Sequence, residues 1–408
     1  MQIESKLFAQ ETPVQFPRRE FFRQVGMGLG VASAAPFSGA LQAAQDSVSR
    51  KDYRGPNVIL VRFGGGVRRQ ETIDPRNTHA PFFLHELVRR GTLFPQMSID
   101  SLTDIETSHG QGTLYLLTGR YERYKDIGGK FLGARFEPRV PTLFEQLRRE
   151  FNVPSHQAVI INGEDRKDEE FYNFSNHTLY GVDFRSVTLS LHRFKTFLLR
   201  RQLEAGAIPD KDLAKSRKRL SEMESLDYRT HGKDRQDPVI ETFWENWREH
   251  YGDSGMVNPR GDRLLTELAL RAMKSLRPKL MMINYNDPDY VHWGNASHYT
   301  RGIQIIDEGI KHLVTAVEAD PAYRDNTVFA IVPDCGRDAN PFAPVPFQHH
   351  FNSRSAREIF GLFFGPGIER NKIVDKDVEQ IAVAPTIGTL MGFKTPFSDG
   401  SVLEEAIA

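Results

Sequence analysis

The stretch NVILVRFGGG, residues 57–66, joins a short apolar, β-branched run to three consecutive glycines. A run of this length that ends at glycine is typical of a buried strand followed by a loop. We therefore predict the first strand of the folded domain over residues 57–63. The loop that follows it consists of Gly64, Gly65 and Gly66.

Similar apolar runs recur along the chain and alternate with helical patterns. Further strands are predicted at AVIING (158–163), KLMMINY (279–285), TVFAIVP (327–333) and EIFGLFFGPG (358–367). Helices are predicted within residues 82–94, ending near Gly91, within 112–121, and within 141–151, where a proline opens the helix. This alternation predicts an α/β fold, a three-layer sandwich with a mostly parallel central sheet.

Between about residues 165 and 260 the pattern changes to charged, aromatic-rich helices such as LAKSRKRLSEMESL, residues 213–226. We see no short buried strand among them. This stretch is predicted to be a helical insertion that caps one end of the sheet. The alternative is a solvated peripheral subdomain, and the charged run there is more typical of a solvated face than of a binding patch.

Composition limits the classes of partner and of metal site. The 408 residues contain 53 Lys and Arg and 53 Asp and Glu, so the formal net charge of zero gives no global attraction to nucleic acid or to an anionic membrane. Cys335 is the single cysteine, which excludes an intrachain disulfide and a cysteine-rich zinc framework. Any metal must be held mainly by His, Asp and Glu.

The first 44 residues differ in character from the rest. Arg18 and Arg19 precede the apolar run VGMGLGVASAAPF, which is too short and too rich in glycine to span a bilayer, and small residues follow it. This order resembles a bacterial twin-arginine export signal with cleavage between about Ala34 and Ala44, although a disordered tail is the alternative. Residues 45–408 would then be the mature periplasmic or secreted domain, without a stable membrane span.

Three polar clusters follow predicted strands: NDPDYVH (286–292), PDCGRD (333–338) and QHH (348–350). Ligands of open α/β sheets bind at the carboxyl ends of strands. Asp289 and His292 can converge on one cation, completed by Asp334 and by His349 or His350. Carboxylate and imidazole ligands favour zinc, with manganese, calcium or iron as alternatives. Each of these residues also has an ordinary structural explanation. Asp289 fits a turn former, His292 a packed histidine and Asp334 a helix cap.

The order of these motifs resembles that of the alkaline phosphatase superfamily, in its sulfatase-like branch, over most of residues 57–405. The motifs that carry the resemblance are NVILV, LLTGRY, DPDYVH, DCGRD, FQHH, FFGPGI and APTIGTLMGF. The resemblance implies two metal ions at the carboxyl edge of the sheet and a nucleophile that attacks a phosphate or sulfate ester. It matches Asp289, His292 and His350 (or His349) to the first metal, and Asp334 to the second.

Three positions depart from this family pattern. Gly64 stands where a metal-binding aspartate is expected, Cys335 where a histidine is expected, and His109, beside Ser108, at the nucleophile position. Either Asp334, Cys335 and His109 hold a metal in an altered arrangement, or this end of the site is lost and the cysteine is a compact apolar substitute. The N–H groups of the glycine loop remain candidates for anion binding.

These residues leave three classes of function open. The first is an exported, metal-dependent hydrolase of a phosphate or sulfate ester, with His109 or Ser108 as base or nucleophile. The second is a catalytically inactive relative that binds an anionic ester or another small molecule. The third is a structural partner that uses the helical insertion as its interaction surface.

Replacing Arg18 and Arg19 by lysine is expected to leave unprocessed precursor in the cytoplasm. A twin-arginine signal is recognised as an arginine pair, and lysine lacks the planar guanidinium. Cell fractionation and immunoblotting of the wild-type and substituted proteins measure the outcome. Processed, substituted protein in the periplasm would show that the assignment is wrong.

Overall fold

The computed structural model describes residues 50–100, 105–122, 138–163, 179–224, 237–257, 261–293, 295–338, 347–349 and 353–408. Arg50–Ala408 forms one compact unit. The export signal predicted for residues 1–44 lies outside the described residues. Within the described ranges, no helix is both long enough and apolar enough to cross a membrane.

The strands of the described residues form one mixed, nine-stranded sheet. In chain order they are β1 Asn57–Arg62, β2 Gly91–Ser98, β3 Ala158–Ile161, β4 Val187–Leu189, β5 Leu280–Asn284, β6 Thr327–Val332, β7 Glu358–Phe364, β8 Lys372–Ile373 and β9 Val378–Glu379. Their spatial order is β4-β3-β5-β1-β6-β7-β2-β8, and β9 pairs with β2. Strands β4, β3, β5, β1 and β6 are parallel, and β7 is antiparallel to both of its neighbours. Because β1 lies between β5 and β6, the carboxyl ends of these three strands are adjacent.

Helices cover both faces of this sheet. The α-helices are α1 Arg69–Thr72, α2 His109–Thr118, α3 Leu143–Glu150, α4 Leu191–Glu204, α5 Asp210–Glu224, α6 Pro238–Tyr251, α7 Asp262–Ser275, α8 Ala296–Ala319, α9 Arg354–Arg357 and α10 Val383–Leu390. Short 3₁₀ helices occupy Val88–Arg90, Ser155–Gln157, Val182–Phe184, Asp287–Trp293, Gln380–Ala382 and Glu404–Ala406, and Phe82–Leu87 is π-helical.

Two apolar cores lie on opposite faces of the sheet, because successive side chains of a strand point to opposite sides. Along β1, Ile59 and Val61 enter one core, whereas Val58 and Leu60 enter the other. Helices α4, α6, α7 and α8 complete the first core, and α2, α3 and α10 the second. The predicted three-layer α/β architecture with a mostly parallel sheet is confirmed.

Strand β2 is one of the strands that the sequence pattern did not predict. Residues 82–94 showed helical spacing, and the chain is indeed helical from Phe82 to Arg90, but β2 begins at Gly91. Pro95 interrupts the alternating pattern of this strand. Because proline has no N–H to donate, it is tolerated where the register with β7 shifts, between Phe94 and Met97.

The prediction that no short strand interrupts residues 165–260 is wrong. Strand β4 lies in this stretch and pairs in parallel with β3, and its three residues are too few to produce a recognisable alternation. The helices of the stretch are also not simply a solvated subdomain. Helices α4 and α6 place Phe194, Trp244 and Trp247 in the core, whereas α5 buries no residue.

Replacing Trp244 by alanine is expected to lower the free energy of unfolding by about 3–5 kcal/mol. Trp244 is 1% exposed and packs against Phe194 and Phe243, so its removal leaves a cavity between these rings. Chemical denaturation measures the loss. Leu213→Ala on the partly exposed helix α5 is the matched control and should change stability by about 0.5 kcal/mol or less. Equal losses in the two variants would contradict the placement of α6 in the core.

Candidate metal centre

The polar residues predicted after β5 and β6 meet His109 and His349 at one edge of the sheet. Asp289 and His292 lie in the 3₁₀ helix after β5, Asp334 and Cys335 follow β6, and His109 is the first residue of α2. His349 is 1% exposed and contacts the same group of side chains. His350 lies outside the described residues. The structure thus brings together the other predicted side chains of the metal site, and His349 is the one histidine of the 349/350 pair among the described residues.

Asp289 is the centre of this group. Its Oδ1 atom lies 2.8 Å from His292 Nε2, 3.1 Å from His109 Nε2 and 3.5 Å from His349 Nε2. Arg337 Nη2 donates to the same oxygen at 2.5 Å. Burial alone would raise the pKa of Asp289, but His109 and the hydrogen bonds from the histidines hold this pKa well below its usual range. The carboxylate is therefore ionised.

The spacing of Asp289, His292 and His349 fits a zinc ion. The separations between their donor atoms are 2.8, 3.2 and 3.5 Å. A tetrahedral zinc with bonds of about 2.0–2.1 Å requires its ligand atoms to be about 3.3 Å apart. Three protein ligands would leave the fourth position for water or substrate, which is the arrangement of catalytic zinc sites.

Hydrogen bonds to the opposite ring nitrogens orient both histidines. His349 Nδ1 lies 3.2 Å from the carbonyl oxygen of Thr107, so it carries the proton and donates, which leaves the Nε2 lone pair for a metal. His292 Nδ1 lies 3.2 Å from the side-chain amide of Gln348. The His349 contact is a regular feature of histidines that bind metals. The Gln348 amide nitrogen instead donates to His292 Nδ1, which places the His292 ring proton on Nε2, so this proton must leave Nε2 before a metal binds there.

His109 is held by Asp334. Its Nδ1 atom lies 2.7 Å from Asp334 Oδ2. Burial by itself lowers the pKa of His109, but the charges of Asp334 and Asp289 raise it well above its usual value, which favours the imidazolium form. Gly112 makes the contact possible, because a Cβ atom there would lie 2.0 Å from the carbonyl oxygen of Asp334. Helix α2 can thus approach the loop after β6.

Ser108, the other predicted catalytic residue, is the N-cap of α2. Its hydroxyl accepts a hydrogen bond of 3.3 Å from the Gln111 N–H, as N-cap serines commonly do. This capping contact is enough to explain a serine before His109, and it requires no catalytic role for Ser108. A catalytic role for Ser108 stays a prediction.

Both oxygens of Asp334 are engaged by donors from the protein. Oδ1 accepts from the N–H groups of Cys335 at 2.8 Å and of Gly66 at 3.2 Å. Oδ2 contacts His109 and lies 3.5 Å from Arg62 Nη1. Burial would raise the pKa of Asp334, but His109 and Arg62 lower it to about 2. In the described contacts, the glycine-loop N–H that was predicted to bind an anion therefore faces an aspartate of the protein.

Cys335 is a fully buried member of one apolar core. Its Sγ atom lies 3.9 Å from His109 Nδ1, the nitrogen that already contacts Asp334. Burial, reinforced by the charge of Asp334, raises the pKa of the metal-free thiol to about 11. Cys335, His109 and His349 form a second group of possible ligands, which shares His349 with the first group. This geometry supports the compact apolar role over that of a ligand.

Sequence reasoning missed two arginines at this edge. Arg62 and Arg337 are each 0% exposed, and they contact Asp334 and Asp289, respectively. The available signal was the charge of Arg62 inside a run predicted to be a buried strand. A buried charge needs compensation, so its position indicates a carboxylate nearby.

No protein-family model matches the sequence, and no curated protein matches it. The structure is similar to that of the alkaline phosphatase PafA, with a TM-score of 0.53, 10% identity, and coverage of 87% of this chain and 99% of that one. For a putative sulfatase from Bacteroides thetaiotaomicron the TM-score is 0.51 and the identity 12%, and the match covers 86% of this chain and 74% of that one. For a protein in the alkaline phosphatase superfamily from Vibrio parahaemolyticus the TM-score is 0.50 and the identity 15%, and the match covers 88% of this chain and 71% of that one. The chain has the alkaline phosphatase-like fold that its motifs predicted.

His292→Ala and His349→Ala are each expected to lower zinc content and thermal stability together, because a ligand that binds only the native state stabilises it. The loss is about 2.7 kcal/mol when the free metal stands at 100 times its Kd. Elemental analysis and thermal denaturation measure the two effects. His156→Ala is the control, since His156 also pairs with an aspartate, Asp237, but precedes β3 at the other end of that strand. Unchanged metal content in both variants would show that these histidines are only packed.

Proposed function

We propose that the protein is an exported, metal-dependent hydrolase of a phosphate or sulfate ester, with a single zinc ion at Asp289, His292 and His349. The observation that carries this proposal is the convergence of three ligand atoms at tetrahedral spacing with His109 Nε2, 3.1 Å from the shared Asp289 oxygen. Solved proteins of this fold are described as an alkaline phosphatase and a putative sulfatase, which supports this substrate class.

In this proposal the protein itself positions His109, a proton-transfer group, beside the metal ligands. A divalent ion held by Asp289, His292 and His349 would polarise the ester and lower the pKa of a bound water. Asp334 fixes the Nδ1–H of His109, so that its Nε2 faces Asp289. In the charged form that both carboxylates favour, His109 donates a proton to the leaving-group oxygen.

This arrangement changes the role that the sequence suggested for His109. Asp334 holds Nδ1 of His109, so Nε2 is the ring nitrogen left for proton transfer beside the proposed metal ligands. General acid catalysis therefore fits the described contacts better than nucleophilic attack. Water is then the nucleophile in the proposed reaction.

The second candidate is a binding module that keeps the metal but does not turn over. The engagement of both Asp334 oxygens by protein donors favours it. In this case the partner is an anionic ester or a related small molecule. Export through the arginine pair is common to both candidates.

Hydrolysis of p-nitrophenyl phosphate, bis(p-nitrophenyl) phosphate and p-nitrophenyl sulfate by the zinc-loaded protein tests the proposal. His109→Gln should lower kcat by about 10²–10⁴-fold while zinc content is unchanged, because a proton-transfer group is lost and a metal ligand is not. His156→Gln is the matched control and should keep full activity. Turnover that persists after chelation would exclude metal dependence. Zinc binding with thermal stabilisation by the esters, but without turnover, would establish the binding module instead.

A further inference from the structure

We propose that the guanidinium groups of Arg62 and Arg337 supply the positive charge that a second metal ion provides in a two-metal site, so that this chain binds a single metal ion. The inference deepens the proposed metal site and rests on it. It concerns the stoichiometry of the centre and the two residues that set it.

The first observation is the burial of both charges beside the two carboxylates of the site. Arg62 and Arg337 are both 0% exposed and are among the largest fully buried side chains of the described residues. Arg337 Nη2 lies 2.5 Å from Asp289 Oδ1, and Arg62 Nη1 lies 3.5 Å from Asp334 Oδ2. Buried charges are tolerated when they are paired. Each carboxylate thus has its own guanidinium, which supplies a permanent positive charge beside it.

The second observation is that most of the groups around Asp334, unlike the imidazoles around Asp289, are N–H donors that cannot become metal ligands. Two backbone N–H groups point at its Oδ1, while His109 and Arg62 flank its Oδ2. A cation at this carboxylate would have to displace at least one of these groups. The residues present therefore do not fit a second metal ion at Asp334.

The third observation concerns Gly64, where the family resemblance led us to expect a carboxylate ligand. A Cβ atom at Gly64 would lie 1.9 Å from the carbonyl oxygen of Tyr285 and 2.8 Å from Arg62 Nε. Arg62 Nη2 itself donates to that Tyr285 oxygen at 2.9 Å, and Nη1 donates to Thr113 Oγ1 at 3.0 Å. The carbonyl oxygen of Tyr285 therefore leaves no room for a side chain at position 64. Gly64 and Arg62 both pack against this one oxygen, so the glycine and the arginine form one arrangement.

Arg337 connects this arrangement to the remaining metal ligands. Its Nε donates to the carbonyl oxygen of Gly66 at 2.8 Å, and its other nitrogens donate to the carbonyl oxygens of Gly65 and Phe347. One guanidinium thus contacts the loop after β1, the segment that carries His349, and Asp289. Arg337 is a positioning residue for the single metal.

Metal stoichiometry tests the proposal directly. Protein dialysed against zinc, and separately against manganese, is freed of loose metal and analysed by inductively coupled plasma mass spectrometry. The wild type should retain one ion per chain. Arg62→Ala should melt at a lower temperature than the wild type when metal-free, because Asp334 loses its paired charge. Added manganese or zinc should raise its melting temperature more than that of the wild type, and its stoichiometry should rise above one.

Arg148→Ala is the matched control for a buried guanidinium. Arg148 is 8% exposed and donates to the carbonyl oxygens of Val153 and Arg185, so its loss should lower the melting temperature without any additional rescue by metal. Arg62→Lys, which keeps the charge, should retain one ion per chain and is the second variant if Arg62→Ala does not fold.

The possible results separate the inference from the proposed function. Two ions per wild-type chain, or an Arg62→Ala protein that gains neither metal nor rescue, would overturn the role of the arginines even if the enzyme hydrolyses esters. An absence of metal from the wild type would contradict both the proposed metal-dependent function and the role of the arginines. One ion per chain without ester hydrolysis would support the arginine replacement and reject the hydrolase.

Discussion

The carboxylate of Asp334 is the contact on which the rest of the site depends. It joins three parts of the fold, because its oxygens accept from the Gly66 N–H in the loop after β1, from the Cys335 N–H after β6, and from His109 at the start of α2. Since each of these donors comes from a different segment, one buried charge fixes the edge of the sheet and the approach of the helix together. Gly112 gives this contact the space it needs.

Charge balance is the second constraint on this edge. Two carboxylates are removed from solvent, which is costly unless cations accompany them. Asp289 is surrounded by three imidazoles and one guanidinium, whereas Asp334 has one imidazole, one guanidinium and two backbone N–H groups. The imidazoles around Asp289 can release their protons and bind a metal, but a guanidinium cannot. Most of the side-chain donors around Asp289 can therefore exchange protons for a cation, whereas most of the donors around Asp334 cannot.

The sequence by itself determined the layers of the fold and the inventory of the site. Apolar runs, glycine stops and helical periodicity located β1, β3, β5, β6 and β7, because their patterns are local and repeat over several residues. The clusters after β5 and β6 supplied Asp289, His292, Asp334 and Cys335. Strands β2, β4, β8 and β9 were not predicted, since a proline at a register shift and lengths of two or three residues remove the local pattern.

Only the tertiary structure decided how these residues are used. His109 and Asp334 are 225 residues apart in the chain, and Arg62 contacts Tyr285 across 223. No local pattern encodes such pairings, because they depend on which strands become neighbours and on how closely the loops approach. The missing side chain of Gly64 looked like a lost ligand in the sequence. In the folded protein the carbonyl oxygen of Tyr285, which accepts from the buried Arg62, lies too close to Gly64 for any side chain.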